Sequence, residues 1–88
     1  MAVIDYRALG DSGLIVSTIG LGCNNFGRAN TASESQAGTD AVINAAIDAG
    51  VTLFDTADIY GSERGLSETR MGYSLKGRRH EIVLATKF

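Results

Sequence analysis

The sequence holds very little of what builds disulfides and metal centres: one cysteine, Cys23, and one histidine, His80, among 88 residues. A single thiol excludes an internal disulfide and a multi-thiolate zinc site, and any metal would have to be held mostly by carboxylates. No metal is expected, and the cysteine usage suits a reducing, cytoplasmic compartment. Excess charge of either sign is also missing. Eight Lys and Arg against ten Asp and Glu leave a formal net charge of -2. Nothing therefore draws the chain at long range to nucleic acid or to an anionic membrane. No apolar run approaches the roughly 20 residues that span a bilayer. Met1 to Arg7, with Asp5 among them, lack the hydrophobic core of a targeting signal.

What is present is an ordinary globular composition, 44% hydrophobic and 20% charged, unlike that of a disordered chain. A chain of this size buries only about 60 to 65% of the surface it exposes on unfolding, so its core is modest unless more chain completes it.

Tyr6 to Val16 places a Gly10-Asp-Ser-Gly13 turn between two β-favouring runs and predicts a hairpin over 6–16. Ser17 to Gly22, small and β-branched between glycines, predicts the first core strand, with a loop from Cys23 to Asn30. Thr31-Ala-Ser-Glu34 and Ser33-Glu-Ser-Gln36 are both capping-box patterns, so a helix starts at one or the other. Val42, Ala45, Ala46 and Ala49 form its apolar stripe, with Asp40, Asn44 and Asp48 off it, and Gly50 is its stop. Val51 to Asp55 predicts a second strand, Ser67 to Lys76 a second helix closed by Gly77, and Glu81 to Lys87 a third strand. The order is hairpin, then βαβαβ to residue 87. It implies parallel strands with right-handed crossovers, and spacing alone leaves a doubly wound sheet and a parallel barrel both open.

Two glycine patterns invite a phosphate loop. Gly20-Leu-Gly22 follows a strand, but the third glycine of a dinucleotide fingerprint would fall at Asn25. Gly22 to Ala29 has the glycine spacing of a nucleotide phosphate loop, but Arg28 stands in place of lysine and Ala29 in place of the Mg²⁺-binding hydroxyl. A small nucleotide-binding α/β module stays open as an alternative, beside a plain glycine-bearing turn.

The side chains most suited to chemistry are Asp55, Tyr60 and Lys87. Asp55 ends one predicted strand and Lys87 the next, so on adjacent parallel strands they share one edge, where active sites of parallel α/β folds gather. Alternation puts Val51, Leu53 and Asp55 on one face and Val83, Ala85 and Lys87 on one face of the neighbour. A buried lysine needs a carboxylate to stay charged, and Asp55 fills that role. A charged Lys87 favours the ionised phenol of Tyr60 and makes it an effective proton donor without a metal. Such a device suits a carbonyl oxygen becoming an alkoxide as hydride reaches carbon. A plain Asp-Lys pair with Tyr60 packed over the edge is the structural alternative.

The run Gly50-Val-Thr-Leu-Phe-Asp-Thr-Ala-Asp-Ile-Tyr-Gly61, followed by Ser67-Glu68, Met71-Gly72, Lys76-Gly-Arg-Arg79 and Ala85-Thr-Lys87, resembles the aldo-keto reductase family. Tyr6 to Leu14 and Ile19-Gly-Leu-Gly22 resemble its start, so the likeness covers essentially the whole chain. The resemblance implies the N-terminal portion of a (β/α)₈ TIM barrel with the hairpin capping the barrel bottom, residues 1–88 forming part of a single domain. It implies NAD(P)H-dependent reduction of small aldehydes or ketones to alcohols, with NADPH the expected cofactor and NADH not excluded. By the same resemblance Tyr60 is the general acid, Lys87 lowers its pKa, and Asp55 pairs with Lys87 and approaches the nicotinamide ribose. Gly22, Cys23 and Asn24 lie near the nicotinamide end, though Cys23 stands where family members often carry a hydroxyl or other small group, and an inert buried thiol is its alternative.

The family's fourth catalytic member, a histidine, follows the strand after the one ending in Lys87, beyond Phe88. His80 precedes the third strand and belongs at the opposite rim, with Lys76, Arg78 and Arg79 as a solvated turn. A whole barrel runs to about 250 residues, so the sequence corresponds to roughly three β/α steps. The remainder, as missing segment or second chain, is expected to be needed for turnover. A catalytically inactive folding or interaction unit is the other expectation.

Overall fold

A serine and two glycines turn the first strand back on itself. Ser12 donates its hydroxyl to the Leu9 carbonyl at 2.6 Å and accepts from the Leu14 N–H at 3.2 Å, closing an Ser-type turn. Strands β1 (Tyr6–Ala8) and β2 (Ile15–Ser17) thereby pair antiparallel, Tyr6 opposite Ser17. The computed structural model describes residues 4–88; Met1 to Val3, the start of the stretch read for a targeting signal, lie outside the described residues.

The chain does not run straight from Ser17 into the sheet as the sequence predicted. Ser17 stays with the hairpin, and β3 is only Gly20–Gly22. The Ser17 hydroxyl donates to the Ile19 carbonyl at 2.6 Å and accepts the N–H groups of Thr52 and Leu53. A side chain that takes over backbone partners bends the strand it sits in. With the Tyr6 hydroxyl donating to the Gly50 carbonyl at 2.7 Å, these bonds fasten the hairpin to the N-terminal end of the second core strand.

Helix α1 (Gln36–Asp48) starts later than either capping-box pattern, at the N-cap Ser35, whose hydroxyl accepts the Gly38 N–H. Thr31 and Ser33 do not cap: their hydroxyls turn to the preceding loop, donating to the carbonyls of Arg28 and Asn25. Gly50, at φ +97°, ends the helix as expected. The buried face is rotated from the predicted stripe. Thr39 and Ile43 are buried with Ala46 and Ile47 packed beside them, while Ala45 and Ala49 are exposed and Val42 is 37% exposed. The sheet takes the side carrying the largest apolar groups, Ile43 and Ile47.

Asp40, off the predicted apolar stripe, is drawn to the second helix, α2 (Leu66–Ser74). The Gln36 Nε2 lies 2.8 Å from Asp40 Oδ1, 2.9 Å from the Arg70 carbonyl and 3.0 Å from Ser74 Oγ. Ser74 also donates to Asp40. These bonds, the Ser74 hydroxyl first and the Gln36 amide second, hold the Asp40 carboxyl below its ordinary pKa.

The other core strands are β4 (Leu53–Asp55) and β5 (Val83–Ala85), shorter than the predicted 51–55 and 81–87. The Val51 N–H goes to the Ala46 carbonyl and so belongs to the helix end, and Val51 packs with the helix-side core instead of sharing a face with Leu53 and Asp55. Arg79–Glu81 forms a 3₁₀ turn ahead of β5, and α2 stops at Ser74, two residues short of Lys76. The three strands are parallel in the order β3-β4-β5, with Gly22, Asp55 and Ala85 level at the carboxyl edge. Cys23, Phe26, Ile43, Phe54, Met71, Leu75 and Ile82 make the core between sheet and helices; full burial of a side chain such as Phe54 contributes about 1.5–3 kcal/mol.

Candidate active site

Register decides how Asp55 and Lys87 meet. Asp55 stands level with Ala85, so Lys87 lies one alternation beyond it, on the same side of the sheet. The ladder continues past β5, with the Thr56 N–H donating to the Ala85 carbonyl at 2.8 Å and the Asp58 N–H to the Lys87 carbonyl at 3.0 Å. Lys87 therefore keeps a fixed backbone although it lies outside the strand. Its side chain reaches back across one step, and Nζ donates to Asp55 Oδ1 at 2.9 Å and to the Thr56 carbonyl at 3.1 Å.

The pair is not buried: the side chains of Lys87 and Asp55 are 54% and 55% exposed. The expectation of a buried lysine rescued by a carboxylate is corrected accordingly. In solvent contact the Coulomb attraction is screened, and the carboxylate's main effect is to aim the ammonium. The hydrogen bond that Lys87 donates to Asp55 is the chief cause that holds Lys87 above its ordinary pKa; partial desolvation opposes it, and the charge of Asp55 and the contact with Tyr60 add to it.

Tyr60 completes the cluster. Lys87 Nζ lies 5.4 Å from the centre of its ring, within cation–π range. The loop carrying it is braced on each side. The Tyr60 N–H donates to the Ala57 carbonyl, and the Tyr60 carbonyl accepts the Ser67 N–H at 3.1 Å. Arg64 grips Asp58 Oδ2 through Nη2 at 2.6 Å and Nε at 3.1 Å. Gly61 turns the chain at φ +106°, where a Cβ would lie 2.8 Å from the Leu66 Cβ and 3.2 Å from the Ser67 nitrogen. No residue with a side chain fits there without moving helix α2.

Gly22 and Asn24 are exposed beside this edge, but Cys23 is not. Its thiol points into the core toward the Leu21 carbonyl, its N–H donates to the Asp55 carbonyl, and its carbonyl accepts the Ser67 hydroxyl. Burial pushes the thiol pKa up to about 12. Of the three loop residues expected to face a cofactor, Cys23 offers no free group; the buried-thiol alternative describes its position.

The nucleotide-loop alternative meets a similar obstacle. The N–H groups of Phe26, Gly27 and Arg28 donate to the carbonyls of Cys23, Ser33 and Asn25, and helix α1 begins only at Gln36. A phosphate cradle needs those donors unpaired at a helix N-terminus. His80, exposed in the 3₁₀ turn before β5, lies at the strand end opposite Lys87. Among the described residues no three His, Cys, Asp or Glu side chains gather as a metal site, and no helix is long and apolar enough to cross a membrane.

Two features carried no sequence expectation. Buried Ser67 donates to the Cys23 carbonyl at 2.7 Å and lies 3.0 Å from Thr56 Oγ1, tying the loops after β3 and β4 to the start of α2. The only signal was Ser67 four residues before Met71, on one helical face. Asn24, Arg28, Ile59, Tyr60 and Gly61 line a recess of about 220 Å³ beside the trio.

The described geometry sits within a recognisable set of relatives. Residues 18–88 match the model of the aldo/keto reductase family. The chain is 40% identical over 81 residues to the uncharacterized oxidoreductase YqkF of Bacillus subtilis, covering 92% of this chain and 24% of that protein. It is 37% identical to the aldo-keto reductase YhdN of the same organism, covering 96% of this chain and 25% of that one. Among solved structures, the holo form of aldo-keto reductase AKR11C1 from Bacillus halodurans superposes with a TM-score of 0.82 at 36% identity, covering 97% of this chain and 26% of that chain. The chain thus spans about a quarter of the length of the curated relatives it matches.

Proposed function

The chain belongs to the aldo/keto reductase family, and from that premise we propose that it supplies the proton-donating half of a nicotinamide-dependent carbonyl reductase, with Tyr60, Lys87 and Asp55 as its catalytic residues. The observation that carries this is the convergence at one strand edge: Lys87 Nζ 2.9 Å from Asp55 and 5.4 Å from the Tyr60 ring centre. Residues 1–88 form the first part of a (β/α)₈ barrel domain on this reading, and the hairpin, fastened below β4, caps its bottom. The remaining strands come from further chain, which also brings the catalytic histidine and the site for the cofactor's adenine end. A cytoplasmic location goes with the family reading.

Tyr60 donates its hydroxyl proton to the oxygen of a bound aldehyde or ketone. The Lys87 ammonium stands where it stabilises the negative charge left on the phenol oxygen. Asp55 holds that ammonium in place and, with its side chain 55% exposed, accepts from a ribose hydroxyl of the cofactor on this reading. The residues present fit the nicotinamide end of NADPH, with NADH as the alternative. Gly22, with no side chain, and exposed Asn24 leave the edge open beside Asp55; a Cβ on Gly22 would meet only Asn24 Oδ1, at 3.7 Å. When bound, the cofactor supplies the hydride that goes to the carbonyl carbon.

In the complete reductase, Tyr60→Phe is expected to lower kcat by about 10²- to 10⁴-fold while NADPH binds with the wild-type Kd in isothermal titration calorimetry. Wild-type turnover in that variant removes Tyr60 from the mechanism.

A further inference from the structure

We propose that Arg28 makes this site selective for carbonyl substrates that carry a carboxylate, binding the acid group while the carbonyl lies against Tyr60; the inference rests on Tyr60 being the proton donor. Both residues line the same recess of about 220 Å³, a size suited to a small molecule. Its walls mix chemistries. Tyr60 and Arg28 share the lining with Ile59, which at 68% exposed gives an apolar surface for a short aliphatic spacer. Asn24 adds an amide donor.

The charge around the recess is what singles out Arg28. Lys87 is paired with Asp55 and Arg64 with Asp58. Among the described residues no carboxylate lies within salt-bridge distance of Arg28, whose guanidinium makes only a long 3.4 Å contact to Asn25 Oδ1. Its backbone is nevertheless fixed. The Arg28 N–H donates to the Asn25 carbonyl, the Arg28 carbonyl accepts the Thr31 hydroxyl at 2.7 Å, and the neighbouring Gly27 exchanges bonds with Ser33 and Ser62. An exposed guanidinium on a rigid loop, with no carboxylate partner among the described residues, pairs with a carboxylate through two parallel N–H···O bonds at little ordering cost.

The test compares 4-oxobutanoate with butanal, which differ in the terminal charge, in the complete NADPH-loaded reductase. Wild type is expected to favour the acid in kcat/KM. Arg28→Gln is expected to lower the acid-to-neutral ratio about tenfold or more, chiefly through KM of the acid; Arg28→Lys restores part of the ratio, because charge survives without the planar fork. The acid's KM also rises with ionic strength. Turnover of butanal with no preference for the acid overturns the assignment of Arg28 and leaves the reductase reading standing. A ratio unchanged in Arg28→Gln does the same. If Arg28→Gln weakens NADPH binding instead, the guanidinium serves the cofactor's phosphates and the proposal fails. Turnover of no aldehyde or ketone defeats the reductase reading, and this inference with it.

Discussion

Cys23 shows how one residue's surroundings settle its chemistry. It follows Gly22 at the strand edge, where a side chain could face a ligand, yet the thiol turns into the core and burial raises its pKa from 9.0 to about 12. A thiol that stays protonated and covered is a poor nucleophile. Iodoacetamide at mildly alkaline pH is therefore expected to label Cys23 no faster than the fold opens, with the rate rising as urea is added; labelling at the rate of a free thiol shows the side chain to be accessible. The sign of the linkage follows from the direction of the shift. The unfolded thiol ionises above pH 9.0 while the folded one holds its proton. Stability contributed by Cys23 is thus complete below pH 9.0 and lost between there and about 12. Asp55 and Lys87 differ in kind, since both remain in solvent and their pairing orders the site more than it stabilises the fold.

Helix α1 separates what the sequence made legible from what it did not. Its existence, its stop at Gly50 and the β-strands on each side follow from local signals: apolar spacing, glycine and short β-favouring runs. The trio was legible for the same reason, because Asp55, Tyr60 and Lys87 follow strand ends that alternation brings to one edge. The start and the facing of α1 were not. Two hydroxyl residues, Thr31 and Ser33, opened capping-box patterns, and tertiary contacts with the Asn25–Arg28 loop drew both away, so the cap fell to Ser35, which neither pattern had singled out. The helix also carries apolar residues on more than one side. Which side is buried depended on a partner helix able to satisfy Gln36 and Asp40. A pair of truncations checks the facing. Ile43→Ala, at a position with 0% exposure, is expected to cost about 2–5 kcal/mol in urea unfolding. Val42→Ala, at a surface position, is expected to stay within about 0.5 kcal/mol. Equal losses would mean that the helix is turned otherwise.

On the scale of the whole molecule, the three-stranded sheet has one face covered by helices and the other open beyond the hairpin. Leu53 and Val83 on that open face are only half-buried, and Ile15, Ile19 and Ile59 are exposed, Ile59 at 68%. Strand β5 has a partner on one side only among the described residues, with β4, so its other edge presents unpaired N–H and C=O groups. Beside it, Thr56, Met71, Leu75 and Leu84 line an apolar recess of about 320 Å³. Parallel sheets bury both faces and both edges when complete, because water cannot compensate an open apolar face and unpaired strands recruit others. The 88-residue chain prepared alone is accordingly expected to self-associate, its sedimentation mass rising with concentration, and to reduce no carbonyl with NADPH. A second, non-catalytic reading, a folding or interaction unit, shares both outcomes until the rest of the barrel is supplied. Addition of the complementary C-terminal segment then separates them: the reductase reading requires turnover to appear with a one-to-one heterodimer and to vanish again in Tyr60→Phe, whereas assembly without turnover supports the interaction unit. An isolated chain that stays monomeric and reduces aldehydes would show instead that the open edge is silent and that three β/α steps suffice.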